Sequence, residues 1–98
     1  MSVSNIPRAA EGRFKYVNIP SGGTFDLTLS QTDQRFLITM MTSSNTSYRS
    51  LILFRRGSYS AIAELAAGSY QGYYTETLSN NVWHIQATYA ITMTILEL

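Results

Sequence analysis

Apolar and polar residues alternate with a period of two along most of this chain, the pattern of half-buried β-strands and not of amphipathic helices. In Thr24–Leu29, Phe25, Leu27 and Leu29 share one face, while Thr24, Asp26 and Thr28 share the other. The run Ala90–Leu98 places Ile91, Met93 and Ile95 on one side. It places Thr92, Thr94, Leu96 and Leu98 on the opposite side. The first set reads as core, together with Phe25, Leu27, Leu29 and Ile38. The second set is too apolar at its end for a freely solvated face. We therefore take Thr92, Thr94, Leu96 and Leu98 as a candidate oligomer interface.

The remaining segments are short and punctuated by turn residues. Phe14–Val17 is followed by Pro20-Ser21-Gly22-Gly23, and Ser30–Asp33 is a polar break. Phe36–Met41 and Ser50–Phe54 are apolar on both faces, which predicts central strands. Thr42–Ser47 is a loop of hydroxyl and amide side chains, and Gly57-Ser58 ends the next strand. Tyr70–Thr77 is rich in tyrosine, and Ser79-Asn80-Asn81 has tight-turn chemistry because Asn tolerates positive φ. Val82–Ala87 is expected to pair with the final strand across Thr88-Tyr89. Over Ser60–Gly68, propensity favours a short helix capped by Ser60 and stopped by Gly68. The flanking strands favour a strand, and a strand is the expectation.

Seven or eight such strands predict an all-β fold, an antiparallel β-sandwich of jelly-roll-like type. A simple meander of hairpins has the same sequence signature. Residues 1–12 have no periodicity and contain Pro7 and Gly12, so they read as an extended N-terminal arm. Residues 13–98 then form a single sandwich domain.

Composition narrows the possible functions. A chain of 98 residues buries about 60–65% of the surface that its unfolded form exposes, enough for one thin core. Only 13% of residues are charged, about half the usual share. Ser and Thr take their place, so the surface is weakly protected against self-association. A net charge of +1, with Arg55-Arg56 as the one basic doublet, argues against nucleic acid. That doublet reads as a strand end with solvated tips. The absence of cysteine excludes disulfides and thiolate chemistry. The N-terminal residues lack the apolar stretch of a signal peptide. No apolar run reaches the roughly 20 residues that a membrane-spanning helix needs.

Catalytic signatures are weak. His84 is the one histidine, which leaves no second imidazole for a metal site or for a triad of its own. No Gly-x-Ser-x-Gly elbow is present, and Gly22-Gly23 has neither a Lys partner nor a following helix. Glu64 and Glu76 could approach across a turn as a carboxylate pair of glycosidase type, but six acids scattered along the chain make such a pair a chance event. Non-enzymatic function is the expectation, with no cofactor and no metal.

The aromatic residues have more to offer. Tyr70, Tyr73, Tyr74, Trp83 and Tyr89 cluster in the C-terminal third. An exposed ring beside amides can stack on the C–H face of a sugar while the amides bind its hydroxyls. Tyr73, Tyr74, Trp83, Asn80 and Gln86 are therefore candidate ligand-binding residues for a lectin-like module. The alternative is that these rings fill the core and subunit interfaces.

The succession of segments also carries a resemblance. A Gly-rich entry leads into Thr24–Leu29, followed by apolar strands at Phe36–Met41 and Leu51–Phe54. A loop-rich middle precedes Val82-Trp83-His84-Ile85 and the terminal Ile91–Ile95 strand. This order resembles the small β-rich end and decoration domains of bacteriophage tail-fibre, tail-tip and head-fibre proteins, over most of residues 20–98. The resemblance implies a non-enzymatic virion subunit, commonly trimeric, that recognises a host surface or decorates the particle. It implies contacts of residues 1–12 with other virion proteins and possible contact with a host surface glycan. It also implies synthesis in the host cytoplasm, assembly into the virion, and neither nucleic-acid binding nor membrane insertion.

Overall fold

The computed structural model describes residues 14–42, 47–69 and 72–98. Those residues form eight strands: β1 (Phe14–Ile19), β2 (Thr24–Thr28), β3 (Asp33–Thr42), β4 (Tyr48–Arg56), β5 (Tyr59–Ala67), β6 (Tyr74–Ser79), β7 (Val82–Ala87) and β8 (Ile91–Glu97). A five-stranded sheet has the order β1-β8-β3-β4-β5, and a three-stranded sheet has the order β2-β7-β6. All pairings are antiparallel. The result is the expected all-β sandwich. The nested pairs β1–β8 and β2–β7 wrap the chain ends around one another, whereas β3-β4-β5 is a plain meander, so the topology is not a complete jelly roll. The arm expected over residues 1–12 lies outside the described residues.

Two sequence expectations change. The final strand does not pair with Val82–Ala87. Thr88 and Tyr89 instead lead from one sheet to the other: β8 inserts between β1 and β3, while β7 lies between β2 and β6. The backbone of Thr88 and Tyr89 donates to Tyr73 O at 2.8 and 3.3 Å, which fixes this crossing. The polar break also ends one residue early, because Asp33 already opens β3 opposite Arg56.

All of Ser60–Gly68 except Gly68, which follows Ala67, lies in β5, as its neighbours required. Gly57-Ser58 turns β4 back on itself, with Arg56 opposite Tyr59 and Gly57 at φ 63°. The ladder to β4 then satisfies the backbone groups that a two-turn helix would have left open. At the β6–β7 turn, Asn80 and Asn81 have φ of 52° and 62°, the two positive values that a two-residue type I′ hairpin needs.

The core lies between the inner faces. Leu29, Ile38, Ile91, Met93 and Ile95 are buried as the alternation required, joined by Phe36, Met40, Leu51, Leu53, Trp83 and Ile85. Phe25 and Leu27 are partly buried against this cluster. β5 contributes only Ile62, and that only in part.

One polar cluster joins the two sheets. Buried Arg49 on β4 donates from Nε to Glu64 of β5 at 2.6 Å. Its Nη1 donates to Tyr74 Oη at 2.9 Å and to Glu76 of β6 at 2.7 Å. Glu76 also accepts from Trp83 Nε1 at 2.9 Å. Burial of the guanidinium opposes its charge, but the bonds to Tyr74, Glu64 and Glu76 outweigh it and raise the Arg49 pKa. Arg55 likewise has a tip held by backbone: it donates to the carbonyls of Gly57 and Leu29, each at 2.7 Å, while Arg56 is exposed.

Arg49→Met keeps most of the apolar stem but removes the cation that faces Glu76 and the guanidinium donor to the Tyr74 hydroxyl. We expect a loss of about 3 kcal/mol, because removing one member of a buried ion pair leaves the other uncompensated. Glu64 is 43% exposed at its side chain, so Glu64→Gln should cost less than about 1 kcal/mol. Urea denaturation of the two variants checks the order, and equal losses would refute the inter-sheet role of Arg49.

Candidate docking surface

Side chains directly opposite in an antiparallel ladder share a face, so the registers define the outer surface of the five-stranded sheet. Starting from β1, one row runs Phe14, Leu96, Leu37, Ile52 and Ala63. The next runs Tyr16, Thr94, Thr39, Ser50 and Ala66. A third runs Asn18, Thr92, Met41 and Tyr48. On the other side of the first row, Arg35, Phe54 and Ala61 are neighbours, and Asp33, Arg56 and Tyr59 end the sheet. Charge on this face is thus confined to one end, at Asp33, Arg35 and Arg56.

The opposite, solvent-facing surface of the three-stranded sheet has the usual chemistry. Its rows are Thr24, Gln86 and Thr75, then Asp26, His84 and Thr77, then Thr28, Val82 and Ser79. His84 Nδ1 and Asp26 Oδ1 form a hydrogen-bonded pair on it. An antiparallel sheet normally keeps one face for the core and one for water. The three-stranded sheet obeys that rule and the five-stranded sheet does not.

Phe14 and Tyr16 are 51% and 61% exposed, and Tyr59 is 62% exposed. Leu37, Ile52, Phe54 and Leu96 are half-buried, Phe54 against the Tyr59 ring, and among the described residues no further layer lies over them. The unbroken apolar row Phe14, Leu96, Leu37, Ile52 and Ala63 crosses five strands, about 20–24 Å, with Phe54 beside it on one side and Thr94, Thr39 and Ser50 on the other. Scattered surface leucines need no explanation, but a contiguous patch of several hundred Å2 marks a contact surface.

The residues taken from the sequence as an interface meet here only in part. Thr92, Thr94 and Leu96 lie on this outer face in the middle of the sheet. Leu98 follows β8 and is 50% exposed, with its backbone N–H donating to Arg35 O at 2.9 Å. The larger share of the surface comes from Phe14, Tyr16, Leu37, Ile52 and Phe54, none of which was singled out. The signal was present in the two-faced apolarity of Phe36–Met41 and Ser50–Phe54. It predicted central strands, which β3 and β4 are, but it also recorded an outer face that the described residues leave without a cover.

The ligand-binding set does not converge. Trp83 is fully buried and Tyr74 nearly so, both on inner faces, with their polar tips committed to Glu76 and Arg49. Neither ring can stack on a sugar, which corrects the expectation for those two residues. Their burial follows from register, since Trp83 and Ile85 share the inward face of β7. Tyr73 is half-buried and packs on Tyr89 at 5.1 Å between ring centroids. Gln86 points to solvent from the three-stranded sheet, and Asn80 sits in the hairpin turn at the far end of β6. Glu64 and Glu76 do approach one another, but through Arg49 between them. Among the described residues, no group of three His, Cys, Asp or Glu side chains could hold a metal ion.

No protein-family model matches the chain, and no curated protein matches it. Among solved structures, the chain is similar to the tailspike protein of an Acinetobacter phage, at a TM-score of 0.45 and 15% identity. That match covers 87% of this chain and 21% of the tailspike.

Trp83 is the one tryptophan of the sequence, so its fluorescence tests its placement. Its emission is expected to resist quenching by acrylamide until the protein unfolds, and to be unmoved by added saccharides. Ready quenching of the folded protein would put the ring at the surface and reopen the sugar-stacking role.

Proposed function

We propose that the chain is a non-enzymatic structural subunit that works by docking the outer face of its five-stranded sheet against other subunits. The observation that carries this reading is the uncovered apolar surface centred on Leu96, Leu37 and Ile52, with charge only at one end. Burying it removes apolar area from water, at about 25 cal/mol per Å2. The low charge content of the whole chain acts in the same direction, since little electrostatic repulsion opposes association.

The class of assembly follows from the sequence pattern, which resembles bacteriophage end and decoration domains. In this reading the protein is a virion accessory subunit: a decoration, fibre or tail-tip component. It is assembled as a homo-oligomer, with three copies favoured, and residues 1–12 contact other virion proteins. Contact with a host surface glycan belongs to the same reading only as a property of the assembled particle. With Trp83 and Tyr74 withdrawn into the core, those two rings offer a sugar no stacking surface.

Light scattering on a sizing column tests the proposal. The wild type is expected to elute as an oligomer of the 11.0 kDa chain, and Leu37→Ser/Leu96→Ser as a smaller species. The variant should still fold, because half-buried leucines at the surface contribute only about 1 kcal/mol each to the subunit itself. A native mass unchanged by the double substitution would overturn the face as the docking surface. Specific binding in a glycan screen by that smaller species would favour the lectin-like alternative.

A further inference from the structure

A sheet has two kinds of open boundary, its faces and its edges, and β5 is an open edge of a distinct kind. Four strands bound the two sheets: β1, β5, β2 and β6. β1 has six residues and exposes Lys15; β2 has five and exposes Asp26. β6 has six and turns Thr75, Thr77 and Ser79 to solvent. β5 has nine residues, and its sequence, Tyr-Ser-Ala-Ile-Ala-Glu-Leu-Ala-Ala, holds neither Lys nor Pro.

Natural edges are blunted by charge, proline, a bulge or shortness. The one charge on β5, Glu64, faces inward and accepts from Arg49, so it does not guard the edge. The one irregularity lies beyond it, where the register against Ser50/Leu51 skips Leu65. Tyr59–Glu64 therefore forms a regular, unguarded ladder edge.

We infer that β5 is a pairing edge for β5 of a second copy, antiparallel about a twofold axis perpendicular to the sheet. This inference goes beyond the docking-face proposal and does not depend on it; where the face joins three copies, a twofold at β5 pairs two such trimers. Such an axis keeps outer face beside outer face, so it passes through a residue. With the axis at Ala61, Tyr59 meets Ala63 of the copy, and Ser60 meets Ile62. With the axis at Ile62, Ser60 meets Glu64 of the copy.

In both registers no two like charges are opposed, a condition that strand pairs require. The small side chains of Ala61 and Ala63 let the larger Tyr59 ring lie across the junction. The product is one ten-stranded sheet in which the two apolar outer faces become continuous. That continuity, and the absence of opposed charge, single out a second copy as the occupant over a foreign strand.

The cysteine-free sequence allows a direct test. Directly opposed residues of an antiparallel pair have Cα atoms about 4.5–5.5 Å apart, within disulfide reach. Single variants Ser60→Cys, Ala61→Cys, Ile62→Cys and Ala63→Cys are oxidised alongside Ser79→Cys as an exposed control. We expect a covalent dimer at position 61 or at position 62, formed at least about tenfold faster than at the control, because only the residue on the axis meets itself.

In parallel, amide hydrogen exchange is followed on the wild type as it is diluted. Amides of residues 59–64 should exchange about tenfold faster once the pair dissociates. No preferential cross-link at any of the four positions, with exchange independent of concentration, would overturn the inference. A native mass of two chains retained by Leu37→Ser/Leu96→Ser would support the edge contact and leave it distinct from the face contact. A monomeric double variant that still shows neither cross-link nor protection would overturn the edge contact alone.

Discussion

Five strands packed against three is the constraint from which the rest of this structure follows. At about 4.8 Å per strand, the larger sheet is roughly two strands wider than the one that covers it. The core takes its buried side chains from β1, β3, β4, β8 and the smaller sheet. β5 is left overhanging, with its last five residues all exposed. Arg49 stands at the boundary of the covered region. Its aliphatic stem lies inside and its guanidinium reaches Glu76 across the gap and Glu64 on the overhang. One cation thereby closes the rim of the core and ties down the strand that the core does not reach.

The overhang gives meaning to the composition of β5. A strand that buries only Ile62, and that in part, gains little from large side chains, and Ala61, Ala63, Ala66 and Ala67 are small. Isolated from the ladder, Ser60–Gly68 has the propensity of a helix. It is a strand because β4 offers eight backbone partners, Arg49 to Arg56, and tertiary pairing outweighs a per-residue preference of a few tenths of a kcal/mol. The same residues that make the helix plausible leave the edge smooth.

Much of this architecture was legible in the chain. The period-two runs at Thr24–Leu29 and Ala90–Leu98 assign strands and faces correctly, because burial on one side imposes alternation, and Val82–Ala87 is the strand expected there. The inward set Ile91, Met93 and Ile95 and the outward set Thr92, Thr94 and Leu96 are both as the alternation requires. Pairing was less legible. Thr88-Tyr89 has the length of a hairpin turn, yet it carries the chain between sheets, and nothing local separates the two outcomes. The candidate ligand site failed for a related reason. A cluster of aromatics in sequence is not a cluster in space once alternate residues face opposite ways, as Trp83 and Gln86 do.

The two-faced apolarity of β3 and β4 has two physical explanations that a sequence pattern cannot separate. A strand can be apolar on both sides because protein covers both, as in a parallel sheet, or because one side awaits a partner. Within this chain there is no third layer among the described residues, and the smaller sheet occupies only the inner face. Leu37, Ile52 and Phe54 on that uncovered side therefore contribute little to the stability of the isolated subunit. Their apolar area has value only when a second surface removes it from water. On the docking reading proposed above, such a face beside an already ordered edge is covered only in the assembled state.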